Sequence, residues 1–118
     1  MAIANALASV AVKDVDAAVP WYEKLIGRPA DSRPMPEVAE WKFDRGGWLQ
    51  VYELPERAGA GSCTFAVSDI AGVIAHLQSL GIDTGNASSG AKVKTVMITD
   101  PDGNHLAFAE TSDPTMAR

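Results

Sequence analysis

The chain has 118 residues, 47% apolar and 21% charged, a balance that suits one globular domain with a real core and excludes a disordered profile. Its formal charge of −5, with no run of like charge, argues against a nucleic-acid partner or an anionic membrane surface, since both need clustered Lys and Arg. A single cysteine, Cys63, rules out an intrachain disulfide and fits a reducing compartment.

Residues 1–12 are apolar and rich in small side chains, yet they lack the basic start of a signal peptide. No apolar run approaches the roughly 18 residues that span a bilayer, so a cytoplasmic protein with no membrane partner is expected. Residues 6–12 alternate as a strand does. Val15, Ala18, Val19, Tyr22, Leu25 and Ile26 then recur at helical spacing behind Asp14 and Asp16, with Gly27 as a left-handed stop. Pro20 is tolerated near a first turn, which predicts a helix start near Asp16. Strands follow at about 29–37, an edge strand broken by Pro29, Pro34 and Pro36, at 39–44 and at 47–53, with a turn at Asp44-Arg45-Gly46-Gly47. Residues 55–61 read as a linker.

The same order then returns. Residues 62–67 form a strand, and Ile70, Val73, Ile74 and Leu77 a helix behind Ser68 and Asp69, closed by Gly81. Strands are expected at about 83–87, 92–99 and 105–110, with a turn at Asp100-Pro101-Asp102-Gly103-Asn104. The stretch Thr84 to Gly90 resembles a mobile loop and suggests a flexible lid. Residues 10–25 lie on 65–80 without a gap, pairing Val12 with Val67, Asp14 with Asp69 and Val19 with Ile74. Residues 48–54 fall on 105–111, so that Leu49 meets Leu106 and Glu53 meets Glu110. The chain therefore reads as βαβββ written twice.

The pattern Val12-x-Asp14, Ala17, Pro20-Trp21-Tyr22, Leu25 and Gly27, with Ile98 to Glu110 as a closing hairpin, resembles the vicinal oxygen chelate superfamily of glyoxalase I and bleomycin-resistance proteins. The likeness covers nearly the whole chain. It implies an α+β fold: two βαβββ modules forming a concave mixed sheet with helices on the outer face. Residues 1–118 would be a single such domain, with module 1 at about 5–54, linker 55–61, module 2 at about 62–111 and a C-terminal tail at 112–118. It also implies a homodimer with clefts shared between chains.

Members of that superfamily often hold a divalent metal with one side chain from the first and last strand of each module. Carried over, those places are Leu7, Gln50, Ser62 and Ala107, of which Gln50 alone is a plausible ligand. A one-residue shift adds at most the thiol of Cys63. The resemblance thus points to the metal-free, bleomycin-resistance type, with no metal, no cofactor and no assignable catalytic residue, and away from a metal-dependent lyase or dioxygenase.

Strand alternation assigns the faces. Ala8, Val10, Val12, Leu49, Val51, Cys63, Phe65, Val67, Val96, Ile98, Leu106 and Phe108 make an apolar core face beneath the helices. Opposite them, Leu7, Ser9, Trp48, Gln50, Tyr52, Ser62, Thr64, Met97, His105 and Ala107 mix aromatic, small and hydrogen-bonding groups, and Trp41 and Phe43 are placed with them. These twelve are the candidate ligand-binding residues of a pocket for a partly apolar organic molecule. Plainer readings stand beside this one. The aromatic rings can pack on one another or across a dimer seam, Gln50 can be an ordinary strand residue, and His105 a solvated turn histidine. His76 is expected to face solvent, Cys63 to be a small buried hydrophobe, and Glu53 and Glu110 to be solvated edge charges.

The function expected is sequestration of a small organic ligand, an antibiotic or metabolite, in a metal-free cleft. The alternative is an enzyme of the same fold, a lyase, isomerase or transferase acting on a small carbonyl, thiol or epoxide. It would use His105, Gln50 and Tyr52 or an atypical metal site, but no nucleophile, base and orienting group stand out as a set.

Overall fold

The computed structural model describes residues 1–113 and 115, so the expected C-terminal tail at 112–118 lies partly outside the described residues. In chain order the elements are β1 (Leu7–Val12), α1 (Val15–Ile26), β2 (Ser32–Met35), β3 (Val38–Lys42), β4 (Trp48–Glu53), a 3-10 turn at Pro55–Arg57, β5 (Ser62–Ala66), α2 (Ile70–Ser79), β6 (Ala87–Ser89), β7 (Val93–Thr99) and β8 (His105–Thr111). The fold is α+β and βαβββ occurs twice. One compact unit comprises Met1–Gly61 with Pro101–Asn104, the other Ser62–Asp100 with the chain from His105.

Each unit holds one four-stranded mixed sheet, ordered β1-β4-β3-β2 in the first and β5-β8-β7-β6 in the second. The first and last strands of each unit lie side by side and parallel, and the remaining pairs are antiparallel. That parallel pairing has a local consequence. The C-terminal ends of β1 and β4 both arrive at the start of α1, where Asp14 caps the backbone N–H groups of Asp16 and Ala17. The next orphan donor, the N–H of Val15, reaches Glu53 Oε1 at 3.1 Å. In the second unit Asp69 accepts from the N–H of Gly72, and the N–H of Ile70 donates to Glu110 Oε1 at 2.8 Å. Glu53 and Glu110 are therefore not idle edge charges, as the sequence suggested. Each closes the positive end of its own unit's helix.

The helix start expected near Asp16 is met to within one residue. Helix α1 begins at Val15 and runs through Pro20 in its second turn, so the bond that Pro20 has no N–H to make is simply absent. The helix ends as expected at Gly27, whose φ of 91° is left-handed and whose N–H returns to the carbonyl of Glu23 at 2.8 Å.

The two cores are built from different side chains on the same lattice. In the first unit, Tyr22 of α1 and Trp41 of β3 are both fully buried with ring centroids 6.1 Å apart, over Val10, Leu49 and Val51. In the second, Phe65 and Phe108 stack at 5.1 Å beside Val96, Ile98, Leu106 and Leu77. Cys63 is buried with them, as expected of a small hydrophobe, and burial raises its thiol pKa.

The expected lid is also revised. Part of it, Ala87–Ser89, is strand β6, paired in register with Lys94–Val96. The Asp-Pro-Asp-Gly-Asn turn does more than turn. Asn104 is fully buried, donates from Nδ2 to the carbonyl of Ala11 at 2.8 Å and accepts the N–H of Gly61 at 2.8 Å, while Asp102 accepts the N–H of Lys13 at 2.9 Å. The linker must come close for this: at Gly59, with φ of 87°, a Cβ would sit 2.4 Å from the carbonyl oxygen of Asp102.

Candidate functional site

The face of each sheet turned away from its helix is where the candidate residues fall, and register sorts them into rows across the strands. In the first unit one row is Leu7, Trp48 and Lys42, the next Ser9, Gln50 and Glu40, and the third Ala11, Tyr52 and Val38. Leu7, Ser9, Trp48, Gln50 and Tyr52 are thus brought together as expected. Leu7 is 49% exposed, Trp48, Gln50 and Tyr52 are half-buried, and Ala11 and Val38 are buried.

The middle row is hydrogen-bonded from end to end. Ser9 Oγ donates to Gln50 Oε1 at 3.2 Å, and Gln50 Nε2 donates to Glu40 Oε2 at 2.9 Å. On the row beside it, the Lys42 ammonium stands 5.9 Å from the centre of the Trp48 ring, within cation–π reach.

In the second unit the corresponding rows are Ser62, His105 and Thr99; Thr64, Ala107 and Met97; and Ala66, Ala109 and Thr95. Ser62, Thr64, Met97, His105 and Ala107 therefore share one face too. Ala107 and Ala109 stand where the first unit has Gln50 and Tyr52. A shallow pocket of about 210 Å³ opens at one end of this sheet, between Met97, Thr99 and His105 and the loop residues Asp83 and Asn86.

Two candidates do not belong. Trp41 pairs with Leu49, which puts its ring on the helix side, where it is fully buried and donates from Nε1 to the carbonyl of Arg28 at 3.0 Å. Phe43 lies past the end of β3 and carries the Arg28 guanidinium 5.9 Å from its ring centre. The sequence reading placed both one residue out of phase. The same slip hid Glu40 and Lys42, which truly share the open face. The signal was available: the turn at Asp44 to Gly47 sets Lys42 opposite Trp48, and the rest of β3 follows from that.

The positions that the resemblance assigns to a metal are a poor match for one. Leu7 and Ala107 carry no donor atom, Ser62 offers a neutral hydroxyl, and the Gln50 amide is already held by Ser9 and Glu40. Among the described residues, no three His, Cys, Asp or Glu side chains gather into a group able to hold an ion. This donor set does not fit a divalent metal.

No protein-family model matches the chain, and no curated protein matches it either. Solved structures do. A glyoxalase / bleomycin resistance protein from Catenulispora acidiphila is 34% identical, over 91% of this chain and 97% of its own, with a TM-score of 0.82. An antibiotic binding protein from a Streptomyces species is 22% identical over 95% of this chain and 99% of its own, with a TM-score of 0.81. A lactoylglutathione lyase from Agrobacterium tumefaciens is 18% identical over 93% of this chain and 95% of its own, with a TM-score of 0.75. The last two likenesses concern the fold alone.

Proposed function

Since the chain belongs to the glyoxalase / bleomycin resistance protein family, we propose that it captures a small, partly apolar organic molecule on the open face of its first unit, without a divalent metal. The observation that carries this reading is the row of Ser9, Gln50 and Glu40 set between Trp48 and Tyr52. A flat ring can lie against Trp48 and Leu7 while a polar group is oriented by the hydrogen-bonded row, the usual division of labour in a ligand site. That a neighbour of the same fold is an antibiotic binding protein supports capture. That another is a lyase gives less support to catalysis here, because the donors at the four metal positions do not suit Lewis-acid chemistry.

The test is a thermal-shift screen of the full chain against antibiotics and metabolites, since a ligand that binds the folded state alone raises Tm by mass action. For a hit measured by calorimetry, Trp48→Ala is expected to weaken binding by about tenfold, from lost aromatic contact area. His105→Ala, at the matching place in the second unit, is expected to leave it unchanged. Purified protein carrying one equivalent of a divalent metal, or a hit indifferent to Trp48→Ala, would overturn the reading.

A further inference from the structure

We propose that the molecule held on this face is a cation, a protonated amine or amidinium borne on a flat apolar body, with its charge against Glu40. The inference rests on the reading that the first unit's open face binds a small organic molecule, and it names the chemical class.

Glu40 sits in the middle of the sheet on β3, half-buried, opposite Gln50. A carboxylate can only accept, so the Gln50 amide must turn its NH2 toward Glu40, which leaves its oxygen for the Ser9 hydroxyl. The amide oxygen and one of its two N–H groups are thereby engaged, and the row is polarised toward Glu40. Beside the second N–H of Gln50, what remains for a ligand is acceptor capacity, chiefly the other oxygen of Glu40. The carboxylate end of the row reads a donor.

Nor is the charge of Glu40 matched from within. Among the described residues, no Lys, Arg or His lies within ion-pair distance of it; Arg28 pairs with Asp31, Arg33 with Asp16 and Lys92 with Asp113. Lys42, two residues along the same face, extends over the Trp48 ring instead. Arg33 is turned away, its guanidinium on the carbonyls of Val38 and Pro36. A half-buried carboxylate without a counter-charge loses solvation that an arriving ammonium can replace, and charge-assisted bonds are the strong ones. The Trp48 ring, already attractive to one cation, adds a second favourable surface for another. The second unit has Met97 at the place of Glu40 and Ala107 at that of Gln50, so its face offers no such recognition.

Three probes of one shape test this on the full chain: 1-naphthylmethylamine, 1-naphthalenemethanol and 1-naphthoate, followed by calorimetry and by the Trp48 indole N–H signal in NMR spectra. The amine is expected to bind about tenfold tighter than the alcohol, as a hydrogen bond to a charged group implies, and the acid weakest of all. Glu40→Gln, close in shape to the native side chain, should abolish the amine's advantage over the alcohol. Equal binding of amine and alcohol, or an amine indifferent to Glu40→Gln, would overturn charge recognition and leave the capture of apolar molecules standing. If none of the three perturbs the Trp48 signal at millimolar concentration, the proposal and the reading beneath it both fail.

Discussion

The two units of this chain share a backbone plan down to its capping and differ on the face that plan presents. Strand order, parallel closure, the Asp cap and the Glu that follows it recur residue for residue. On the open face the first unit has Leu7, Trp48, Gln50 and Glu40, and the second has Ser62, His105, Ala107 and Met97. What recurs is what the backbone needs: apolar alternation on one side and acceptors where a helix begins. What differs is what the backbone does not determine, and that is where a binding role belongs.

The cores test this first, with the largest effect. Trp41 and Ile98 hold equivalent places, opposite Leu49 and Leu106, but Trp41 fills its unit together with Tyr22 whereas Ile98 is one of several aliphatic side chains. Trp41→Ala is expected to cost about 3–5 kcal/mol in urea denaturation, and Ile98→Val about 1 kcal/mol. Near-equal losses would mean that Trp41 is not the keystone of the first core.

The capping carboxylates come next, and here the units should agree. Glu53→Ala and Glu110→Ala each remove an acceptor from a helix start, and each is expected to cost about 0.5–1 kcal/mol, the scale of an end-of-helix charge effect. The double variant should lose the sum, because the two sites share no partner. If one substitution were silent in denaturation, the structural equivalence of the two carboxylates would be broken.

These carboxylates also show what the sequence could and could not convey. The repeat was plain because core positions alternate with a fixed period, and this sufficed for the fold, both helices and ten of the twelve face assignments. Trp41 and Phe43 are the two exceptions: a five-residue connection from Phe43 to Gly47 fixes Trp41 opposite Leu49 whatever its chemistry. Glu40 was lost in the same slip. Strand β6 is expected at about 83–87 and lies instead at Ala87–Ser89, because Ala87, Ser88 and Ser89 have little strand preference of their own and the edge of β7 makes them a strand. The role of Glu53 and Glu110 depends on parallel closure, which brings residues 38 and 40 apart in sequence to one corner.

The smallest effect is electrostatic, and it separates the units again. Each carries one aspartate whose pKa is held below its ordinary 3.8, Asp31 and Asp113, but the leading causes differ. The Arg28 guanidinium is the main influence on Asp31, followed by the backbone N–H of Lys42 at 2.7 Å. For Asp113 the backbone N–H of Thr115 at 2.9 Å comes first, then the Thr115 hydroxyl, with Lys92 a minor partner. A lowered folded pKa contributes stability above the unfolded value of about 3.8, which is lost as pH falls from there through the folded value. Asp31 is exposed and Asp113 lies half-buried near the chain's end, each beside solvent-exposed partners, so the contribution is small. Salt distinguishes them, because it screens an ion pair far more than a hydrogen bond to a neutral amide. In carboxyl NMR titrations at low and at 1 M salt, Asp31 is expected to move back toward its ordinary value more than Asp113 does. Equal movement would mean that Arg28 holds Asp31 by geometry alone, and the electrostatic contrast between the units would disappear.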